Sequence, residues 1–92
     1  MNIQQLRYVV AIANSGTFRE AAEKMYVSQP SLSSSVRDWE KELGFKIFRR
    51  TSSGTFLTRR GMEFYEKAQE LVKGFDIFQN QYANPEEEKD EF

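Results

Sequence analysis

Apolar positions recur along this chain at helical spacing, interrupted by short polar stops. Ile3, Leu6, Val10 and Ala13 fall on one face of a helix expected from about Ile3 to Asn14, which Ser15 and Gly16 end. Thr17 is a good N-cap for a second helix, and Glu20 three residues later completes a capping box. Its stripe is Phe18, Ala21, Ala22 and Met25. Ser28 caps a third helix with Pro30 in the first turn, where a missing N–H costs little. Leu32, Val36, Trp39 and Leu43 form its inner face, and Gly44 stops it. Residues 45–57 change character. Phe45, Ile47 and Phe48 precede the polar turn TSSG, and Phe56 and Leu57 follow it, which predicts a β-hairpin. Thr58 caps a last helix from about Arg59 to Tyr82, roughly 36 Å long at 1.5 Å per residue.

On that last helix Phe64, Ala68, Leu71, Phe75, Phe78 and Tyr82 are spaced by alternating steps of 4 and 3, a heptad seam. So small a domain cannot cover the whole seam. A second copy of the chain is therefore expected to pair along Phe64, Leu71, Phe75, Phe78 and Tyr82. Gly74 beside the seam would let two helices approach closely. The competing reading is burial of the seam within one chain.

The chain is one domain's worth at 92 residues. It has no Cys and no His, which removes disulfides, thiolate chemistry, the commonest general base and the commonest neutral metal ligand. No metal, no cofactor and no catalytic residue is expected, and Glu40 and Glu42 read as an exposed helix side. No apolar run approaches the roughly 20 residues needed to span a bilayer. The N-terminus lacks a signal-peptide layout, so a cytoplasmic protein with no membrane partner is expected. The net charge of −1 hides an asymmetry. Residues 83–92 carry five acidic groups and one Lys, an acidic tail expected to be disordered; residues 1–82 hold 12 basic and 9 acidic groups. Between Glu42 and Glu63 there is no acid, but Lys46, Arg49, Arg50, Arg59 and Arg60 are present.

Residues 18–37 fit two short helices crossing at a steep angle. Ala21 and Ala22 allow the close crossing, Met25 and Val27 fill the angle, and Leu32 and Val36 anchor the second helix. Its outward residues are then Gln29, Ser31, Ser33, Ser34 and Arg37, all able to hydrogen bond and none acidic. Such a face suits a helix in the DNA major groove. Tyr26 stands at the turn, where many such turns use Gly for its positive φ. In the hairpin, Arg49 and Arg50 lie near the polar tip of Thr51, Ser52 and Ser53, within reach of a minor groove or a phosphate. The rival reading is a protein-interaction module. The Ser-rich face together with the acid-free stretch favours double-stranded DNA.

At matching spacing, Gly16-Thr17-Phe18, Ala21-Ala22, Val27 to Ser33, Val36-Arg37, Glu40, Leu43-Gly44, Phe48, Arg50, Leu57-Thr58 and Gly61 resemble the signature of LysR-type transcriptional regulators. The resemblance spans about residues 3–61. It implies a mainly α fold: a winged helix-turn-helix of three helices plus a β-hairpin wing, followed by a long linker helix. The implied division is a DNA-binding domain at 1–58, with the helix-turn-helix near 18–37 and the wing near 45–57, then a linker and dimerisation helix at 59–82. It further implies base contacts from Gln29, Pro30 and Ser33 and a dimer on a two-half-site operator; Thr17, Ser28, Ser31, Ser34, Arg37, Arg49, Arg50, Ser52 and Ser53 are expected to complete the DNA-binding surface. Three positions depart from the family pattern: Ser34, where Arg is common, Ser53, where Arg or Lys is common, and Trp39, where Leu is usual. LysR-type regulators carry an effector-binding domain after the linker helix. This chain has none, so a small-molecule effector would act only through a domain outside it, and the chain reads as a fragment of a longer regulator.

Overall fold

The computed structural model describes residues 1–83, and the acidic stretch from residue 84 onward lies outside the described residues. Asn2 opens the first helix, α1 (Ile3–Ser15), with a two-way capping box: its side chain accepts from the Gln5 N–H, and the Gln5 side chain accepts from the Asn2 N–H. Helix α2 (Phe18–Met25) starts at Thr17, whose hydroxyl accepts from the Glu20 N–H at 3.1 Å. Helix α3 (Gln29–Leu43) starts at Ser28, which accepts from the Ser31 N–H, and stops at Gly44 with φ 86°. The caps expected at Thr17 and Ser28 therefore form, and Asn2 adds one not anticipated from the sequence; each is a contact over three residues that needs no tertiary partner.

The wing is shorter than the pattern suggests. Strand β1 (Phe48–Thr51) pairs antiparallel with β2 (Gly54–Leu57), Arg49 opposite Phe56 and Arg50 opposite Thr55. Phe45 and Ile47 precede the strand, and Ile47 is fully buried. The Thr55 N–H donates to the Gly16 carbonyl at 2.9 Å, which ties the wing to the α1–α2 corner.

Among the described residues the core is built from Val9, Ile12, Phe18, Ala21, Ala22, Leu32, Val36, Trp39, Ile47 and Phe48. On α1 the fully buried positions are Val9 and Ile12; the expected stripe of Ile3, Leu6, Val10 and Ala13 is only half-buried. The last helix, α4 (Arg59–Ala83), explains the shift, since it packs along one side of α1 while α2 packs along another. On α3 the buried set is wider than expected, for Ser33 and Glu40 join Leu32, Val36 and Trp39. The Trp39 indole stacks on Tyr8 with centroids 6.0 Å apart.

Helix α4 begins in a tight corner. The Thr58 hydroxyl accepts from the Gly61 N–H and donates to the Lys46 carbonyl at 2.6 Å, while the Thr58 N–H donates to the Ile47 carbonyl at 2.9 Å. Further along, Arg7 grips Asp76 through two nitrogens at 2.6 and 3.3 Å, and the Tyr65 hydroxyl donates to Asn14 at 2.7 Å. The hydrogen bond from Arg7 lowers the Asp76 pKa below the ordinary carboxylate range and raises that of Arg7. The C-terminal half of α4 leaves the domain, and the molecule measures 58 × 25 × 21 Å. The fold is mainly helical, with a two-stranded wing and a long final helix. No helix among the described residues is long and apolar enough to cross a membrane.

Candidate nucleic-acid interface

Everything at this face depends on how α2 delivers α3. The turn between them passes through Tyr26 at φ 59° and ψ 43°, the only non-glycine residue with positive φ among those described. The Tyr26 N–H donates back to the Glu23 carbonyl and the Val27 N–H to the Ala22 carbonyl, and the Tyr26 ring is 94% exposed. The side chain thus makes no core contact that would justify it, and the local turn bonds hold the left-handed conformation that a glycine would enter freely. Ala21 and Ala22 are buried at the crossing, so α3 can lie close over α2.

Helix α3 then presents Ser28, Gln29, Pro30, Ser31, Ser34 and Arg37 to solvent from its N-terminal two-thirds. Ser33 does not belong to that outward set. It is 7% exposed and its hydroxyl accepts from Arg50 Nη2 at 2.8 Å. Ser33 and Glu40 are seven residues apart, two helical turns, and so share the edge of α3 that the wing covers. Glu40, expected on the exposed side, is likewise turned in: its Oε2 accepts from the Ile47 N–H at 2.7 Å and from the Phe48 N–H at 3.2 Å. Those two donors stand at the start of β1, so the carboxylate fixes the root of the wing. Glu42 remains exposed.

The wing carries Arg49, Arg50, Ser52 and Ser53 exposed. Ser53 and Thr51 hydroxyls lie 3.1 Å apart, and Thr51 also donates to the Gly54 carbonyl, so the tip is braced by its own side chains. Arg50 behaves differently from Arg49: its guanidinium carbon sits 3.5 Å from the centre of the Phe18 ring. Burial, and then repulsion from Arg37, lowers its pKa from the ordinary arginine value. Arg50, Arg37, Lys46, Ser33 and Phe18 line a cleft of about 230 Å³ between α3 and the wing. Arg60 lies 4.3 Å over the Phe45 ring, while Arg59 is exposed beside it at the start of α4. Thr17 is exposed, but its hydroxyl is engaged in the cap of α2.

One cation escaped the charge reading. Lys41 follows Arg37 by four residues and is exposed on the same side of α3. Its neighbours Glu40 and Glu42 hid it in a count along the sequence, although Glu40 points the other way.

On α4, Leu71, Phe78 and Tyr82 are about 60% exposed, and Ile77 joins them at 62%. Phe75 is 37% exposed, because Arg7 lies over its ring at 5.6 Å. Phe64 departs from the expected seam: it packs edge-on against Phe45 at 6.2 Å and belongs to its own domain's core. The N-terminal end of the heptad thus serves the fold, and the exposed part runs from Leu71 onward.

Residues 3–62 match the family described as bacterial regulatory helix-turn-helix protein, lysR family. The chain is 42% identical over 72 residues to the HTH-type transcriptional regulator TfdT of Cupriavidus pinatubonensis (strain JMP 134 / LMG 1197), covering 78% of this chain and 32% of that protein. It is 41% identical over 73 residues to the DNA-binding transcriptional dual regulator OxyR of Escherichia coli (strain K12), covering 79% of this chain and 24% of that one. The chain thus spans a third or less of the length of these relatives. Among solved structures, a complex of the BenM DBD with catB site 1 DNA superposes with a TM-score of 0.87 at 30% identity, covering 99% of this chain and 98% of that one. A CbnR DBD–DNA complex superposes with a TM-score of 0.78 at 30% identity, covering 90% and 98%. With the cap-and-turn pattern of α1–α3, the wing and the long α4 all in agreement, the chain belongs to the LysR family of bacterial regulatory helix-turn-helix proteins.

Proposed function

We propose that this chain binds double-stranded DNA sequence-specifically as the reading head of a LysR-type transcriptional regulator in the cytoplasm. The single observation that carries this is the solvent face of α3: Gln29, Pro30, Ser31, Ser34 and Arg37 are exposed together, and none is acidic. Helix α3 enters the major groove with its N-terminal end foremost, and Gln29 meets a base edge. Ser28 and Thr17 line the approach to the backbone, and Arg49, Ser52 and Ser53 bring the wing toward the minor groove. Residues 1–58 are the DNA-binding domain and 59–82 the linker helix. TfdT and OxyR, by their names regulators of transcription, and the DNA complexes of the BenM and CbnR domains support this reading. An effector acts through a domain of the whole regulator beyond this chain.

Binding is expected to weaken steeply with salt, the slope of log K against log salt being about −0.9 per neutralised phosphate. A flat plot in a fluorescence titration would return the chain to the protein-interaction reading. Gln29→Ala is expected to lower affinity for a duplex selected from a random pool by about 1–3 kcal/mol, with little effect on random duplex. Equal losses on both duplexes would remove Gln29 from its role.

The active unit is a homodimer paired along Leu71, Phe75, Phe78 and Tyr82 of α4. These side chains are exposed in one copy, and fully burying each contributes about 1.5–3 kcal/mol. Two linked heads then meet two half-sites of one operator. Replacing Phe75 and Phe78 together with Glu is expected to leave a folded monomer with much weaker operator binding. Sedimentation of the unmodified chain as a monomer at high micromolar concentration, both free and on DNA, would rule the pairing out.

A further inference from the structure

Arg50 leaves the middle of β1, yet its guanidinium turns toward the domain. It lies flat against Phe18 of α2, 3.5 Å from the ring centre, and donates at 2.8 Å to the hydroxyl of Ser33 on α3. Phe18 is in turn held edge-on by Phe48 of β1, with centroids 5.7 Å apart. Three elements therefore meet on one planar cation. The Arg50 side chain still meets solvent, but a guanidinium stacked in this way has given up side-chain freedom, and one of its donors is committed to a buried hydroxyl. Arg49, one residue earlier and exposed like Arg50, points to the opposite face of the strand and has no such partners among the described residues. The two adjacent arginines are thus in different states, although their sequence context is the same.

We propose that Arg50 is a positioning residue: it locks the recognition helix to the wing through Phe18 and Ser33 and so sets base discrimination by α3, instead of neutralising a DNA phosphate. Ser33 then acts from inside the fold, as the anchor of that lock. The inference rests on the DNA-binding reading above. The lock opposes rotation of α3 about its own axis, the motion that would move Gln29 and Ser34 across a base pair. Lys cannot replace it, because an ammonium has neither the flat face nor the fork of donors.

Two measurements test this. In the free protein, Arg50→Lys keeps length and charge, and amide chemical shifts are expected to change at Phe18 and at residues 31–35 as well as in the wing. On DNA, Arg50→Lys and Arg50→Gln are both expected to lower the ratio of selected-duplex to random-duplex affinity by about ten-fold. The salt slope of Arg50→Gln should stay within about 0.3 of the unmodified chain, whereas loss of a phosphate contact lowers it by about 0.9. Ser33→Ala should reproduce the loss of discrimination, and adding it to Arg50→Gln should change little more, as for two residues of one contact. Thermal unfolding of each variant separates these effects from loss of folded protein. A salt slope that falls by about 0.9 in Arg50→Gln, with affinity restored by Arg50→Lys, is the behaviour of a phosphate contact and overturns the proposal. Shift changes confined to the wing overturn it as well. Failure of the unmodified chain to bind any duplex sinks the DNA reading and the discrimination half of the proposal with it, while the free-protein shifts still decide the lock.

Discussion

Glu40→Ala is expected to destabilise the chain by about 2–5 kcal/mol, most of it through two amides left without a partner. The Ile47 and Phe48 N–H groups both donate to the same oxygen, Oε2, and both residues lie in the core. Each buried donor left unsatisfied costs about 1–3 kcal/mol. Lys46 adds little, since its Nζ is 4.0 Å from Oε1 and its side chain is 75% exposed. Glu40→Gln separates shape from charge. Its amide oxygen can take the place of Oε2 and accept both bonds, so a loss of only about 1 kcal/mol is expected. Trp39, buried beside Glu40 on α3, provides the fluorescence probe for urea unfolding. A loss below about 0.5 kcal/mol for Glu40→Ala would mean that water or a wing shift satisfies those amides. The same variant should blunt selected-duplex binding, because the wing's root moves with residues 46–48.

Gly61→Ala should be destabilising by about 2–4 kcal/mol, against the usual direction for that change inside a helix. A Cβ at Gly61 would overlap the Ile47 carbonyl oxygen and stand 2.9 Å from its carbon. Both are backbone atoms, so α4 itself must lift. Lifting it stretches the Thr58 N–H bond to that same carbonyl and the Thr58 hydroxyl bond to Lys46. Gly74, in the same helix, has nothing within 4 Å of a built Cβ. Gly74→Ala should accordingly stabilise the single chain by up to about 1 kcal/mol while weakening the proposed pairing of two α4 helices. Denaturant unfolding of the two variants side by side gives opposite signs if this is right. A stabilising Gly61→Ala would show that the corner at Thr58 opens readily.

Much of this architecture is legible in the residues alone. The caps at Thr17, Ser28 and Thr58, the stops at Gly16 and Gly44, and the small pair Ala21-Ala22 all fall where the structure puts them. The exposure of the α3 face is legible except at Ser33, and that of the α4 seam except at Phe64 and Ala68. These exceptions have one cause. A polar residue at the edge of a helix stripe, or an apolar one at the start of a seam, is assigned by the element that arrives from elsewhere. Ser33 is turned in by Arg50, 17 residues away. Phe64 is taken by Phe45, which the pattern had assigned to the hairpin. The Ser33–Val36–Glu40 spacing does place all three on one edge of α3, yet nothing local says that the wing's root covers that edge.

Which elements form, their order, their ends and the polar character of the recognition face are all local properties of the chain. Those properties arise from contacts over three or four residues and from side-chain period, so any window of the chain contains the necessary information. The tertiary structure decided which of two adjacent arginines is free, that Glu40 is a buried acceptor, that Gly61 is required for close approach and that Gly74 is not. Each of these depends on the placement of residues from separate elements, at angles set by packing. Arg49 and Arg50 differ only in the face of β1 from which they leave, and only the folded chain puts Phe18 and Ser33 under one of them.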